Sequence, residues 1–215
     1  MENKVILISI DGMRADGVQV CGNPYVEELK KIGSYTFNAR TVFPSVTLPC
    51  HMSMFHSVTP ERHGITTNAY MPQVRPINGL FEQIKMSGKC SAMYYGCEPL
   101  RDISRPGSLI AAEYINSYSF EHTDGMLTDS AINYVKKAKP DFVFLYMVET
   151  DEKGGHDRGH GTDMDEDMTI PMFFVGNEFE AGKELADVSI LDLAPTIAKI
   201  LDVPAAREWE GKTLI

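Results

Sequence analysis

The chain has 215 residues, 43% of them hydrophobic, so it is long enough to bury one sizeable core. Its composition shows no internal division, and we expect residues 1–215 to form a single domain. The formal net charge of −10 at pH 7 leaves no basic face for a nucleic-acid backbone, which argues against a polynucleotide partner. A small anionic substrate held by metal ions suits this charge better.

The apolar segments are all short. The chain begins with a polar stretch that runs straight into 5–10, without the charged region and the length of a signal peptide. No apolar run approaches the roughly 18 residues that a membrane-spanning helix needs. We therefore expect a soluble, cytoplasmic protein with no membrane partner. We also expect free thiols, since no CxxC pair occurs among Cys21, Cys50, Cys90 and Cys97.

Apolar runs of strand length alternate with segments of helical period. This alternation is typical of a mostly parallel sheet covered by helices on both faces, and it predicts an α/β fold, a three-layer α/β/α sandwich. In chain order, the predicted strands are 5–10, 35–40, 91–95, 142–148 and 170–175. The predicted helices are 23–33, 48–57, 79–87, 125–138 and 192–201.

Two segments lack a clear period. Residues 98–120 are weakly patterned and contain Ser, Arg and Pro, so we expect a loop or a lid. Residues 149–168 are polar and lie between two apolar strands. They are predicted to be either a site loop or a solvated connection.

Two carboxylates directly follow predicted strands. Asp11 comes after 5–10, and Asp151 comes after 142–148. In open α/β sheets, ligands bind at the carboxyl ends of the strands, so a metal site shared by the two residues is one interpretation. The other is that each carboxylate caps a turn or a helix.

His156 and His160 are spaced four apart among glycines. Together with Asp151 they form a set of imidazole and carboxylate ligands of the kind that binds zinc. Solvent-exposed, inert loop histidines remain the alternative.

Thr47 lies just before the predicted helix 48–57. Its hydroxyl can serve as the N-cap of that helix. The same position places the hydroxyl in the positive field of a helix start, where an alkoxide and a phosphate are both stabilised. A nearby metal would make this hydroxyl an effective nucleophile.

Cys50 is the more reactive residue type in this segment. Its adjacent partner, His51, does not face it on a helix, so we interpret Cys50 as a packed or pocket-lining thiol. His63 and His122 are interpreted as structural.

Six stretches, in this order, resemble the alkaline phosphatase superfamily, closest to its nucleotide pyrophosphatase/phosphodiesterase branch. They are ISIDGMR (8–14), FPSVTLPCH (43–51), PERHGI (60–65), ETDEKGGH (149–156), HGTDMDEDMTIP (160–171) and DLAPTIA (192–198). The resemblance implies a metal-dependent hydrolase of small phosphate esters, of phosphodiesterase, nucleotide pyrophosphatase or phosphatase type.

The resemblance also implies a role for each matching residue. Asp11 would bind one metal, Thr47 would be the nucleophile and touch the same metal, and Asp151, His156 and His160 would bind a second. The implied chemistry is in-line attack on phosphorus, a phospho-enzyme intermediate and hydrolysis by metal-activated water, with zinc, or alternatively manganese, as the metal. Cys50 would be substrate-binding, at a place in the phosphate pocket where family members carry Asn.

The chain departs from the family in one respect. Family members have a further strand that ends in Asp-His-Gly, preceded by helical sequence, whereas this chain passes from Asp151 almost directly to His160. We therefore expect the fold to lack one strand-helix segment, and His156 fits either motif. Two alternatives follow: a catalytically impaired relative that binds an anion or a partner, and a sulfatase. The sulfatase is disfavoured because Cys50 is not followed by the Pro and Arg that sulfatases use to form formylglycine.

Overall fold

The computed structural model describes residues 3–154 and 161–215, without the side chains of 153 and 154. In chain order its helices and strands are β1 (Val5–Ile10), α1 (Ala15–Val20), α2 (Pro24–Ile32), β2 (Ser34–Arg40), α3 (Thr47–His56), α4 (Pro60–His63), α5 (Leu80–Met86), β3 (Ser91–Tyr95), β4 (Ala111–Tyr114), α6 (Thr123–Ala138), β5 (Phe142–Met147), α7 (Glu149–Gly154), α8 (Asp165–Met168), β6 (Thr169–Phe174) and α9 (Leu193–Ile200). Short 3₁₀ helices span Glu98–Ile103 and Ile190–Asp192. Within these described ranges, no helix is both long enough and apolar enough to span a bilayer.

The central sheet has four strands in the order β1-β5-β3-β4, and every neighbouring pair is parallel. Val5 lies opposite Phe142 and Ile10 lies opposite Met147, so β1 and β5 end at the same edge. The residues that follow these two strands therefore emerge side by side.

Helices cover both faces of this sheet. Phe142, Phe144 and Tyr146 of β5 belong to a core that also contains apolar residues of α3, α5 and α9. Val143 and Leu145 point to the opposite face and pack against α6. The predicted three-layer α/β/α class is therefore confirmed.

The remaining two strands form a separate sheet. β2 and β6 pair antiparallel, with Ser34 opposite Phe174 and Arg40 opposite Thr169. A groove of about 730 Å³ lies between β1 and β6 and is lined by both strands. Among the described residues no strand fills it, which agrees with the expected lack of one strand-helix segment.

The segment 98–120 is more regular than its sequence predicts. It contains the 3₁₀ helix Glu98–Ile103 and the strand β4, whose Ala111 pairs with Ala92 of β3. The expectation of an irregular loop is wrong for these residues. Four residues with two alanines carry too little periodicity to indicate a strand, and the pairing with β3 supplies the order.

Candidate active site

Asp11 lies at the carboxyl edge of the central sheet. Its backbone N–H donates to Met147 O at 2.9 Å, which extends the β1–β5 ladder by one residue before the chain turns. Gly12 makes this turn with φ of +68°. A Cβ atom at Gly12 would lie 2.7 Å from the Cα and 2.8 Å from the Oδ1 of Asp151, so only glycine fits there. The structure thus brings Asp11 and Asp151 together.

Asp151 lies in the first turn of α7, directly after β5. The start of α6 fixes the junction between β5 and α7. The Asp124 carboxylate accepts the backbone N–H groups of Val148 at 2.8 Å and Glu149 at 3.0 Å. The Asp151 side chain is buried. A buried carboxylate next to Asp11 concentrates negative charge at the sheet edge, as a cation site requires.

Thr47 is the first residue of α3, and Val46 is the N-cap. The Thr47 hydroxyl donates to Asp11 Oδ2 at 3.1 Å and makes no capping bond. The backbone N–H of Leu48 is instead accepted by Asn68 Oδ1 at 2.9 Å. The prediction that Thr47 caps the helix is therefore wrong, because Asn68 satisfies a free N–H of the first turn and the Thr47 hydroxyl faces the carboxylate.

Tyr146 also contacts Asp11, and sequence reasoning missed it. This buried residue of β5 donates its phenol O–H to Asp11 Oδ2. Burial, and secondly the charge of Asp11, raise the pKa of Tyr146 well above its ordinary value, so the phenol remains a donor. A tyrosine near the end of an apolar strand was the available signal, since a buried phenol needs a partner.

His51 connects β1 with the start of α3. Its Nδ1 lies 2.7 Å from Thr47 O and its Nε2 lies 3.1 Å from Ser9 Oγ. Burial lowers the pKa of His51, although the charge of Asp11 acts in the opposite direction. A neutral ring with its proton on Nδ1 satisfies both contacts, because the carbonyl can only accept and Ser9 can then donate to Nε2. His51 thus ties the strand before Asp11 to the backbone of Thr47.

Cys50 lines the groove next to Thr47. Its Sγ accepts from Thr41 Oγ1 at 3.2 Å, and His51 is directed to Ser9 rather than to this thiol. Burial raises the pKa of Cys50 to about 11, which keeps the group protonated and weakly nucleophilic near neutral pH.

The metal-ligand set is incomplete in the part of the chain that the structure describes. His156 and His160 lie outside the described residues. Among the described ones, no group of three or more His, Cys, Asp or Glu side chains could hold a metal ion. Asp11, Asp151 and the Thr47 hydroxyl supply oxygen donors, but these alone are fewer than a closed zinc site requires.

Comparison with solved structures defines the class of fold. A 2-O GAG sulfatase superposes with a TM-score of 0.78 at 12% identity, over 100% of this chain and 73% of that one. Murine ectonucleotide pyrophosphatase / phosphodiesterase 5 superposes with a TM-score of 0.60 at 18% identity, over 93% of this chain and 52% of that one. The fold is alkaline phosphatase-like.

Sequence comparison shows which family the chain resembles. The model of the family "Type I phosphodiesterase / nucleotide pyrophosphatase" matches residues 5–84, which include Asp11 and Thr47. Ectonucleotide pyrophosphatase/phosphodiesterase family member 1 of Rattus norvegicus is 28% identical over 176 residues, 72% of this chain and 19% of that protein. The predicted resemblance to the nucleotide pyrophosphatase/phosphodiesterase branch of the alkaline phosphatase superfamily is confirmed. The chain spans about a fifth of the length of this relative.

Proposed function

We propose that this chain carries the nucleophile of a phosphoester hydrolase site, with Thr47 attacking the phosphorus of a small phosphate ester such as a phosphodiester or a nucleotide pyrophosphate. The family match over residues 5–84 supports the reaction class. The observation that carries the proposal is the hydrogen bond from the Thr47 hydroxyl to Asp11 Oδ2 at 3.1 Å.

The surroundings of Thr47 suit a nucleophilic role. A hydroxyl at the first residue of α3 lies in the positive field of the helix start, which stabilises an alkoxide and draws in an anionic phosphate. The bond to Asp11 orients the hydroxyl, and its proton already points to a carboxylate oxygen. The His51 contact with Thr47 O fixes the backbone from which this hydroxyl projects.

We further propose that Asp11 and Thr47 hold one divalent metal ion and that Asp151 holds a second together with His156 and His160. When bound, zinc or manganese would lower the pKa of the Thr47 hydroxyl and neutralise charge on the phosphate. Cys50, at the edge of the same groove, would contact the substrate. The cytoplasmic location expected from the sequence also remains a proposal.

A second candidate is a catalytically impaired relative that binds an anion or a partner. The observation in its favour is that the described residues contain no group of three His, Cys, Asp or Glu ligands. Such a protein would retain the helix start as an anion site and would lose turnover.

Turnover of bis(p-nitrophenyl) phosphate and p-nitrophenyl phosphate, measured with added zinc or manganese, separates the two candidates. We expect release of p-nitrophenol, and we expect Thr47→Ala to lower the rate by about 10³-fold or more because the nucleophile is removed. Thr47→Ser, which keeps a hydroxyl, should retain part of the rate. Thr128→Ala is the matched control, because the Thr128 hydroxyl donates to Asp124 O within α6, on the face of the sheet opposite α3.

The outcomes are distinct. Measurable turnover at equal rates in Thr47→Ala and the parent chain would overturn the nucleophile assignment. No turnover, together with fewer than two metal ions per chain by mass spectrometry of the metal content, would establish the impaired relative.

A further inference from the structure

We propose that the groove between β1 and β6 is a strand-addition site, which binds an extended apolar segment of another polypeptide flanked by Lys or Arg. This proposal does not rest on the catalytic one, although the two share a groove that Asp11, Thr47 and Cys50 line. It rests on the free edges of two strands, on apolar side chains that no described helix covers, and on the charge at the mouth of the groove.

The backbone of β1 is paired on one side only. Val5 N donates to Asp141 O and Asp11 N donates to Met147 O, each at 2.9 Å, and the register between them is continuous. In a parallel ladder the bonding residues alternate, so the odd-numbered residues of β1 bond to β5. The N–H and C=O groups of Ile6, Ile8 and Ile10 therefore point away from β5, towards the groove.

The side chains of β1 are also incompletely covered. Ile6 and Ile8 are 57% and 53% exposed, although the run VILISI has the composition of a strand buried on both faces. The register places them beside Val143 and Leu145, which α6 covers, but the cluster under α6 does not include either isoleucine. An occupant with apolar side chains would bury this surface.

The opposite wall of the groove is a strand as well. β6 pairs with β2 on one side, and its residues Thr169–Phe174 line the groove on the other. Pro171 removes one donor from β6, so β1 supplies the better edge. Free backbone groups of this kind are satisfied by an added strand and not by a helix, whose own backbone groups are already bonded. An added strand would join the two sheets into one.

Charge favours a different polypeptide over a second copy of this chain. The net charge is −10, so two copies repel each other. Four carboxylates line the groove, Asp11, Glu166, Asp167 and Glu178, against two basic side chains, Lys4 and Arg14, so its lining is acidic on balance. Lysine or arginine beside the apolar segment would complement these carboxylates.

Hydrogen exchange resolved at single residues tests the site with a synthetic probe, a short peptide of alternating Val and Thr with a lysine at each end. In the free chain we expect rapid exchange at the amides of Ile6, Ile8 and Ile10 and slow exchange at Leu7 and Ser9. The peptide should slow the three even-numbered amides by about tenfold or more. A peptide of the same composition with a central proline should protect them much less, because it lacks a donor and disfavours the strand.

Substitution in the groove gives the second readout. Ile8→Lys places a charge in the groove and should abolish protection by the peptide, whereas Val20→Lys on α1, at an 83% exposed position, should leave it intact. Both side chains are exposed, so thermal unfolding of the two variants should match that of the parent chain.

Three outcomes would overturn the proposal. The first is a peptide that leaves Ile6, Ile8 and Ile10 unprotected. The second is protection that Ile8→Lys does not reduce. The third is protection of these amides without peptide that grows with protein concentration, which would show that a second copy occupies the groove.

Discussion

At the scale of single residues, three donors converge on the Asp11 carboxylate. Gly12 N donates to Oδ1 at 3.0 Å, and the hydroxyls of Thr47 and Tyr146 both donate to Oδ2. The donors lie in the turn after β1, in α3 and in β5, so one side chain ties three parts of the fold together. Changes around Asp11 should therefore affect stability as well as function.

Replacing Tyr146 with Phe removes one of these donors without changing the shape of the ring. Bonds to charged groups contribute about 1.5–3 kcal/mol, so we expect Tyr146→Phe to lower the free energy of unfolding by about that amount. Urea denaturation measures it. Tyr25→Phe, at a 78% exposed position, should change stability very little, and equal values for the two variants would contradict the assigned bond.

The thiols should differ sharply in reactivity. Cys21 is exposed, whereas burial raises the pKa of Cys50 to about 11, so alkylation at about pH 8 should modify Cys21 first. Peptide mapping of the native protein after iodoacetamide treatment reports both sites. Labelling of Cys50 should accelerate as the pH approaches 11, and equal rates at the two sites at about pH 8 would exclude a protonated, buried Cys50.

At the scale of elements, α3 organises the site. Asn68 binds the first turn of α3, His51 connects it to β1, and His63 lies 3.0 Å from Ser53 within it. His63 also accepts the backbone N–H of Ile65 at Nδ1, so its Nε2 carries the proton that Ser53 Oγ accepts. The loop after α4 therefore fixes the position of Thr47.

Asn68→Ala should weaken the start of α3. Loss of a capping acceptor costs about 1 kcal/mol, and the free Leu48 N–H would then compete with the site for nearby oxygens. Asn68→Asp retains an acceptor and adds a favourable charge near the helix start, so it should restore stability. Thermal unfolding compares the variants, and equal stability of Asn68→Ala and the parent chain would show that water replaces the side chain at no cost.

Local sequence predicted the elements that carry strong local signals. β1 and β3 occupy the predicted residues, and α2 begins after Asn23, whose side chain accepts Tyr25 N at 2.9 Å. The location of Asp11 and Asp151 at the edge of the sheet follows from their positions directly after two predicted strands. The roles of Tyr146, His51 and Asn68 could not be predicted, because each depends on a partner that only the packing of distant segments brings near.

At the scale of the whole molecule, two sheets share one core and are separated by a groove. Apolar residues of β5 and β6 belong to the same buried cluster, although the two strands lie in different sheets. Helices α3 and α9 also contribute apolar residues to this cluster. The groove therefore exposes one edge of the central sheet, while the core that the two sheets share stays buried.

Buried histidines make the fold sensitive to acid. Burial lowers the pKa of His63 to about 4 and also lowers the pKa values of His51 and His56. Below the ordinary value of about 6.5 the unfolded chain binds protons that the folded chain does not, so stability is present above that pH and is lost as the pH falls towards 4. Each such histidine contributes a slope of about 1.4 kcal/mol per pH unit.

Urea midpoints measured between about pH 7 and pH 4 test this slope. His63→Gln should reduce the slope by the contribution of one histidine, about 1.4 kcal/mol per pH unit, whether or not it changes stability at neutral pH. Thr128→Ala, which removes no titratable group, is the control for this measurement. If the slope is unchanged in His63→Gln, His63 has the same pKa in the folded and the unfolded chain, and this explanation is wrong.

We propose that the Thr47 hydroxyl faces a cation bound at the sheet edge by Asp11, with a second cation site at the neighbouring Asp151. A crystal structure grown with zinc, with data collected at the zinc absorption edge, tests it directly. We expect an anomalous peak within bonding distance of Asp11 and the Thr47 hydroxyl, with Asp151 beside it. A Thr47 hydroxyl that caps α3 and points away from Asp11, or zinc bound only elsewhere on the chain, would contradict it.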